Sequence, residues 1–266
     1  MQIKTPIEIT DAAVAAGNAK VARTMHQPVS ILVSAMLAGA FIAIGGTLSL
    51  IVGFGFPEIT AGNPSLQRLL SGMMFPIGLI LVVVLGTELF TGNNAMLMPG
   101  YMKRDFPLSA VVRNWSIVYI GNMIGAVAFT WLFVHFVGLT AGEPYHSAAV
   151  NIGVAKTSMT WPVVLVKGIG ANWFVCLGVW LALSGHSFIE KALGCWLPVM
   201  AFVALGYEHS IANMFYLPLA MMEGAPISID ACLTNNILPA TIGNIIGGAI
   251  FVGCLHTYLH HRRKAS

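Results

Sequence analysis

The chain has 266 residues, of which 57% are apolar and only 9% are Asp, Glu, Lys or Arg, and its mean hydropathy is +0.80. A soluble domain carries about 25% charged residues, so too little polar surface is present to cover a globule in water, and the composition specifies an integral membrane protein. The net charge of +3 is small and is gathered on no basic face, which argues against nucleic acid as a partner.

Residues 1–25 are polar and charged and lack the short apolar core and small-residue cleavage site of a signal peptide. Thr5-Pro6-Ile7-Glu8 has the spacing of a capping box with proline at the first helical position. An amphipathic helix is therefore predicted over 5–25, lying at the membrane interface as an anchor. A membrane helix needs about 20 mostly apolar residues. Windows free of Asp, Glu, Lys and Arg run over 24–57, 69–87, 114–142, 168–189, 192–207 and 231–261, which predicts six spans. The second continues past Glu88 as 89–102, and the fifth continues past Glu208 as 209–222. Each of these two reads as two half-length segments around a polar break. Cys176, Cys195, Cys232 and Cys254 stand singly in apolar runs and read as small buried hydrophobes. His256, His260 and His261, beside Arg262, read as an interfacial tail, and Met73-Met74 and Met221-Met222 as core filler. No metal and no cofactor are expected.

Orientation follows from the placement of Lys and Arg. Of the thirteen, Lys4, Lys20, Arg23, Lys103, Arg104, Arg113, Lys191, Arg262, Arg263 and Lys264 fall on one side. Arg68 and Lys156 fall on the other, and Lys167 lies within or at the edge of the fourth span. Both termini are expected in the cytoplasm, with the chain crossing the cell membrane several times.

The two halves resemble each other. Residues 31–45 align without gaps to 164–178. Both breaks read Glu-x-x-x-x-Asn, at Glu88/Asn93 and Glu208/Asn213. The third and sixth spans share Asn114-x6-Gly121-Asn122-x-Ile124-Gly125 and Asn236-x6-Gly243-Asn244-x-Ile246-Gly247. A three-span unit used twice must enter the membrane from opposite sides, because three is odd. The predicted fold is an all-α membrane protein with two inverted three-helix repeats, 28–140 and 158–261, in a single channel domain over 1–266. Interrupted helices at matching positions of inverted halves point to a substrate path between them. The Gly-x-x-x-Gly pairs read as close helix contacts.

Ionisable groups at membrane depth are functional by default. Glu88 and Glu208 nevertheless occupy matched positions, which suits hydrogen bonds to backbone groups freed at the breaks, so they read as structural. His209 differs: its repeat mate is Leu89, and a repeat does not require it. Thr91 and Asn172 are candidate pore-facing hydrogen-bond donors. Lys156 and Lys167 carry positive charge where the positive-inside rule would remove it, and half-helices starting near Asn93 and Ser210 would aim positive ends at the centre. Both features favour an anion.

Leu85-Gly-Thr-Glu-Leu-Phe-Thr-Gly-Asn93, Asn172-Trp-Phe-Val-Cys-Leu-Gly-Val-Trp180, Gly206-Tyr-Glu-His-Ser-Ile-Ala-Asn-Met214 and Asn236-Ile-Leu-Pro-Ala-Thr-Ile-Gly-Asn-Ile-Ile-Gly-Gly248 resemble the formate/nitrite transporter family over nearly the whole chain. The resemblance implies an aquaporin-like protomer assembled as a homo-pentamer, with one pore in each protomer. It implies passage of small monovalent anions: formate, nitrite or hydrosulfide. It implies His209 as the central histidine, Thr91 and Asn172 facing it, Lys156 as the vestibule lysine, and Phe75, Leu79, Leu89 and Phe202 as apolar constrictions. Tyr207 departs from the phenylalanine of formate channels, and Thr-Gly-Asn-Asn after Phe90 departs from their Thr-Ser run.

The expected function is transport of formate with protonation of the anion in a dry centre near His209. Two proton sources stay open, His209 itself or bulk water. A water or glycerol channel would carry Asn-Pro-Ala at both breaks, where this chain has Thr-Gly-Asn and Ile-Ala-Asn. An enzyme using Glu208 and His209 lacks a metal-ligand or nucleophile motif, so no catalytic residue is expected.

Overall fold

The computed structural model describes residues 3–260 and is all-helical there. The N-terminal helix, Pro6–His26, starts on the predicted capping box: Thr5 Oγ1 accepts from Glu8 N–H at 3.3 Å and Glu8 Oε2 accepts from Thr5 N–H at 2.7 Å. It is packed rather than loosely anchored, because Gly17 sits so close to the Met96 carbonyl that no side chain would fit between them.

Among the described residues, six helices are long and apolar enough to cross a membrane: Pro28–Phe54, Pro64–Val84, Leu108–His135, Trp161–Ser184, Phe188–Leu205 and Ile229–His260. These are the six predicted spans. Pro28 and Pro64 open the first two, where proline's missing N–H has no helical partner to lose. The second span carries an extra turn at Phe75-Pro76 between Pro64–Met74 and Ile77–Val84, which the charge pattern did not predict. Nor did it predict the π-helical stretches Thr130–His135, Cys232–Ile237 and Ile246–Cys254 in the third and sixth spans. The helix Tyr145–Thr157 between the halves was also unpredicted, and it carries Lys156. His256 and His260 belong to the last helical turns of the sixth span rather than to a tail. His261, Arg262, Arg263 and Lys264 lie outside the described residues.

The halves pack alike. The first span lies against the third, and the fourth against the sixth. Gly121 and Gly125 are pressed onto the backbone and side chains of residues 32–36, and Gly243 and Gly247 onto the backbone of residues 165–173. Large apolar side chains such as Val166, Leu197 and Ile250 remain exposed outside, as a lipid-facing surface requires.

Both breaks open on a left-handed glycine, Gly86 at φ 68° and Gly206 at φ 71°. Nothing lies within 4 Å of a Cβ at either position, so a substitution there meets only backbone strain. Gly86→Ala and Gly206→Ala are each expected to lower stability by about 1–2 kcal/mol. Thermal unfolding in detergent measures this, and an unchanged midpoint would show that the breaks do not need that backbone.

After the glycines the chain re-enters helix as two half-helices, Phe90–Met96 and Ser210–Met222, the former continued by Met98–Met102. The first therefore begins three residues before Asn93, and the second at Ser210 as predicted.

Candidate functional site

Interrupting a helix in a membrane frees N–H and C=O groups that lipid cannot satisfy. At the first break Asn122 of the third span answers both kinds. Its Oδ1 accepts from Phe90 N–H at 2.9 Å, and its Nδ2 donates to the carbonyls of Glu88 and Ala35 at 2.8 and 2.7 Å. At the second break Asn244 does the same. Its Oδ1 accepts from Ser210 N–H at 2.8 Å, and its Nδ2 donates to the carbonyls of Glu208 and Gly168 at 3.0 and 2.8 Å. Ala35 and Gly168 are matched positions in the alignment of 31–45 with 164–178, so the repeat extends to its hydrogen bonds.

Glu88 and Glu208 brace the breaks differently from the expectation. Glu88 Oε2 accepts from Asn93 Nδ2 at 2.8 Å and from Lys20 Nζ at 2.8 Å. Glu208 Oε2 accepts from Asn213 Nδ2 at 2.7 Å, and both its oxygens lie 3.0 Å from Lys156 Nζ. Their carboxylates hold side chains, not freed backbone. The reason is that a carboxylate only accepts, whereas a break frees a donor and an acceptor together, which one amide side chain satisfies. Each glutamate is neutralised by a lysine from the helix that precedes its repeat. Lys156 is correspondingly not a free vestibule cation: it is ion-paired with Glu208 and lies 5.5 Å above the Tyr216 ring.

Leu89 and His209 cap the two half-helices in nearly the same extended backbone (φ −108°, ψ 124° and φ −106°, ψ 115°). His209 Nδ1 accepts from Ala212 N–H at 3.0 Å. That hydrogen bond assigns the ring proton to Nε2, which lies 2.9 Å from Thr91 Oγ1. The Thr91 hydroxyl then accepts from the ring. Its own proton has no protein acceptor among the described residues, so it is available to a ligand. The first turns of the two half-helices thus meet through a polar pair, while their repeat mates, Leu89 and Ile211, are apolar and fully buried.

Apolar side chains close around this pair. Phe75 and Phe202 stand edge to face with centroids 5.8 Å apart, and Phe202 lies 5.9 Å from the His209 ring. Phe75, Leu79, Leu89 and Phe202 are each only 2% exposed, so water does not reach between them. A cavity opens at each end of this plug, and the second span runs past both. Leu79, Val82, Val83 and Gly86 line one of about 240 Å³, with Lys4, Lys20 and Lys191 at its wall. Gln67, Arg68, Ser71 and Phe75 line the other, of about 460 Å³, with Lys156, Lys167 and His209. Tyr207 also lines the larger cavity, its ring against Gly170 and 6.2 Å from Phe174.

Asn172 does not present its amide to this path. Its Nδ2 donates to the carbonyls of Thr91 and Asn244 at 3.1 and 2.6 Å and to Asn94 Oδ1 at 3.1 Å. Through the Thr91 carbonyl it ties the fourth span to the half-helix and so positions Thr91. Residues missed by the sequence reading are Asn122, Asn244 and Lys20. The first two stood in the shared Asn-x6-Gly-Asn motif, and their periodicity was visible although their role was not.

The model of the family described as formate/nitrite transporter matches residues 7–258. The chain belongs to the formate/nitrite transporter family. It is 40% identical over 266 residues to the uncharacterized transporter YrhG of Bacillus subtilis, covering 100% of this chain and 97% of that one. It is 37% identical over 266 residues to the formate channel BtFdhC of Bacillus thuringiensis, covering 100% and 99%. Among solved structures, a pentameric formate channel with formate bound superposes with a TM-score of 0.76 at 29% identity, over 88% of this chain and 98% of that one. As a formate/nitrite transporter the chain is a multi-pass membrane channel or transporter and not an enzyme. Its two interrupted helices are the segments that place Thr91 and His209 in contact.

Proposed function

We propose that this family member carries formate across the cell membrane in step with a proton, as a homo-pentamer with a path through each protomer and both termini in the cytoplasm. The observation that carries the reading is the Thr91–His209 pair, set in an apolar plug between two cavities rich in lysine and arginine. The cations draw a small anion into either cavity. The plug then decides in what form it crosses.

A bare carboxylate entering an apolar medium faces an idealised cost of tens of kcal/mol. Protonating it at pH 7 costs far less, roughly 4 kcal/mol for an acid with a pKa of about 4 at 1.36 kcal/mol per unit. Passage as formic acid therefore wins. Of the two proton sources, bulk water fits the hydrogen bonds better. With Nδ1 accepting from Ala212 N–H, the ring holds one proton, on Nε2, and giving it up would leave an imidazolate. His209 and Thr91 then hold the crossing acid, with Thr91 Oγ1–H as donor, while water in the cavity supplies the proton.

Uptake of labelled formate into liposomes with an alkaline interior tests this. Above its pKa the neutral acid falls about tenfold per pH unit. Lowering the outside from pH 7 to pH 6 should therefore raise uptake toward that factor. Flux that ignores external pH would mean the anion crosses as such. Nitrite or hydrosulfide is the second reading, since the Tyr207 phenol in the wall of the larger cavity can donate to any small anion, formate or inorganic. Nitrite or hydrosulfide entry with formate excluded would select it.

A further inference from the structure

The larger cavity holds three cations, and they are not equivalent. Lys156 lies 3.0 Å from both Glu208 oxygens, so most of its charge is neutralised where an incoming anion would meet it. Lys167 lies in the same wall, and the polar partner of its Nζ among the described residues is Met159 Sδ at 3.5 Å. A thioether is a weak acceptor, which leaves the ammonium hydrogens for another ligand. Arg68, exposed at the mouth of the same cavity, makes no hydrogen bond or ion pair among the described residues.

A half-buried lysine in a membrane span is costly and is kept for a reason. The repeat supplies none: the alignment of 31–45 with 164–178 puts Ser34 at the position of Lys167. The lysine is placed at the break all the same, because its carbonyl accepts from Glu208 N–H at 3.4 Å. We propose that Lys167, with Arg68 outside it, is the site that captures a small monoanion in the larger cavity, and that Lys156 serves to neutralise Glu208. The inference rests on the anion-transport reading above and sharpens it. The anion first meets Lys167, and loses its charge only at the plug beyond.

The test is concentration-dependent uptake of formate, and in parallel of nitrite, by pentamers of wild type, Lys167→Met and Lys167→Arg in liposomes. Ionic strength is set at about 0.01 and 1 M with an impermeant salt, which shortens the Debye length from about 30 to 3 Å. At low salt Lys167→Met should raise the half-saturating concentration about fivefold and leave maximal flux within about twofold, as expected for lost electrostatic concentration of the ligand. Lys167→Arg should stay near wild type, and the difference should close at high salt. An unchanged half-saturating concentration in Lys167→Met overturns the proposal, as does a change that persists at high salt or appears equally in Lys167→Arg. If wild type excludes formate but admits nitrite, the substrate reading falls and the same comparison is read on nitrite. Absence of flux for both would sink the two readings together.

Discussion

Thr91→Val should reduce formate flux by roughly 10–100-fold while leaving the protein assembled. The substitution keeps shape and volume and removes one hydroxyl, whose recorded protein partner is His209 Nε2 at 2.9 Å. In a plug closed by Phe75, Leu79, Leu89 and Phe202, the fully buried Thr91 hydroxyl is the donor left for a crossing acid. Leaving a buried polar group of the crossing acid without its partner costs about 1–3 kcal/mol, which sets the range. Liposome uptake, with gel filtration to confirm assembly, measures it. Full activity in Thr91→Val would place the path elsewhere. His209→Asn is the companion variant: an amide at that position can still donate, but it cannot carry an ionisable proton. Its flux should fall, yet retain the wild-type dependence on external pH. A flattened pH profile would instead make the ring the proton donor.

The second large effect is structural. Asn244→Leu removes in one step the partners of Ser210 N–H and Glu208 C=O, together with a second donor to the helical carbonyl of Gly168. Each group left unpaired in a dry interior costs about 1–3 kcal/mol. The two of them together cost about 2–6 kcal/mol, a large share of a typical stability of about 5–15 kcal/mol. The variant is therefore expected to fail to assemble, and Asn122→Leu to fail in the same way at the other break. Glu208→Gln should be far milder, since a Gln oxygen still accepts from Asn213 Nδ2 and only the ion pair with Lys156 is lost. Thermal unfolding followed by size-exclusion profile separates the three. Wild-type stability in Asn244→Leu would show that the break is held by something other than the asparagine.

The contrast between Asn244 and Glu208 marks a limit of reading residues singly. A carboxylate within a membrane span stands out in a sequence, and so Glu88 and Glu208 drew the role of holding the breaks. An asparagine is neutral and stands out less, although unlike a carboxylate it offers both a donor and an acceptor on one side chain. Asn122 and Asn244 lie 32 and 34 residues from the N–H groups they satisfy, Phe90 and Ser210. No local pattern connects them. A longer separation, 68 residues, hid Lys20, which reaches Glu88 from the N-terminal helix.

What the sequence by itself determined is what depends on composition and short-range period. The scarcity of charge specified the membrane, charge-free windows specified six spans, and the capping box specified the start of the N-terminal helix. The doubled motifs specified two alike halves with two breaks, and the Leu89/His209 mismatch singled out His209. Each follows from the cost of moving polar groups into lipid, which every residue meets wherever it lies in the fold. Tertiary structure alone decided which groups meet. It turned the Asn172 amide onto the carbonyls of Thr91 and Asn244, paired Lys156 with Glu208, set Thr91 against His209, and left Lys167 with a sulfur atom for company. Hydrogen bonds and ion pairs act over about 3 Å, so their partners are fixed only when the packing of distant helices, here through Gly121, Gly125, Gly243 and Gly247, has brought them within reach.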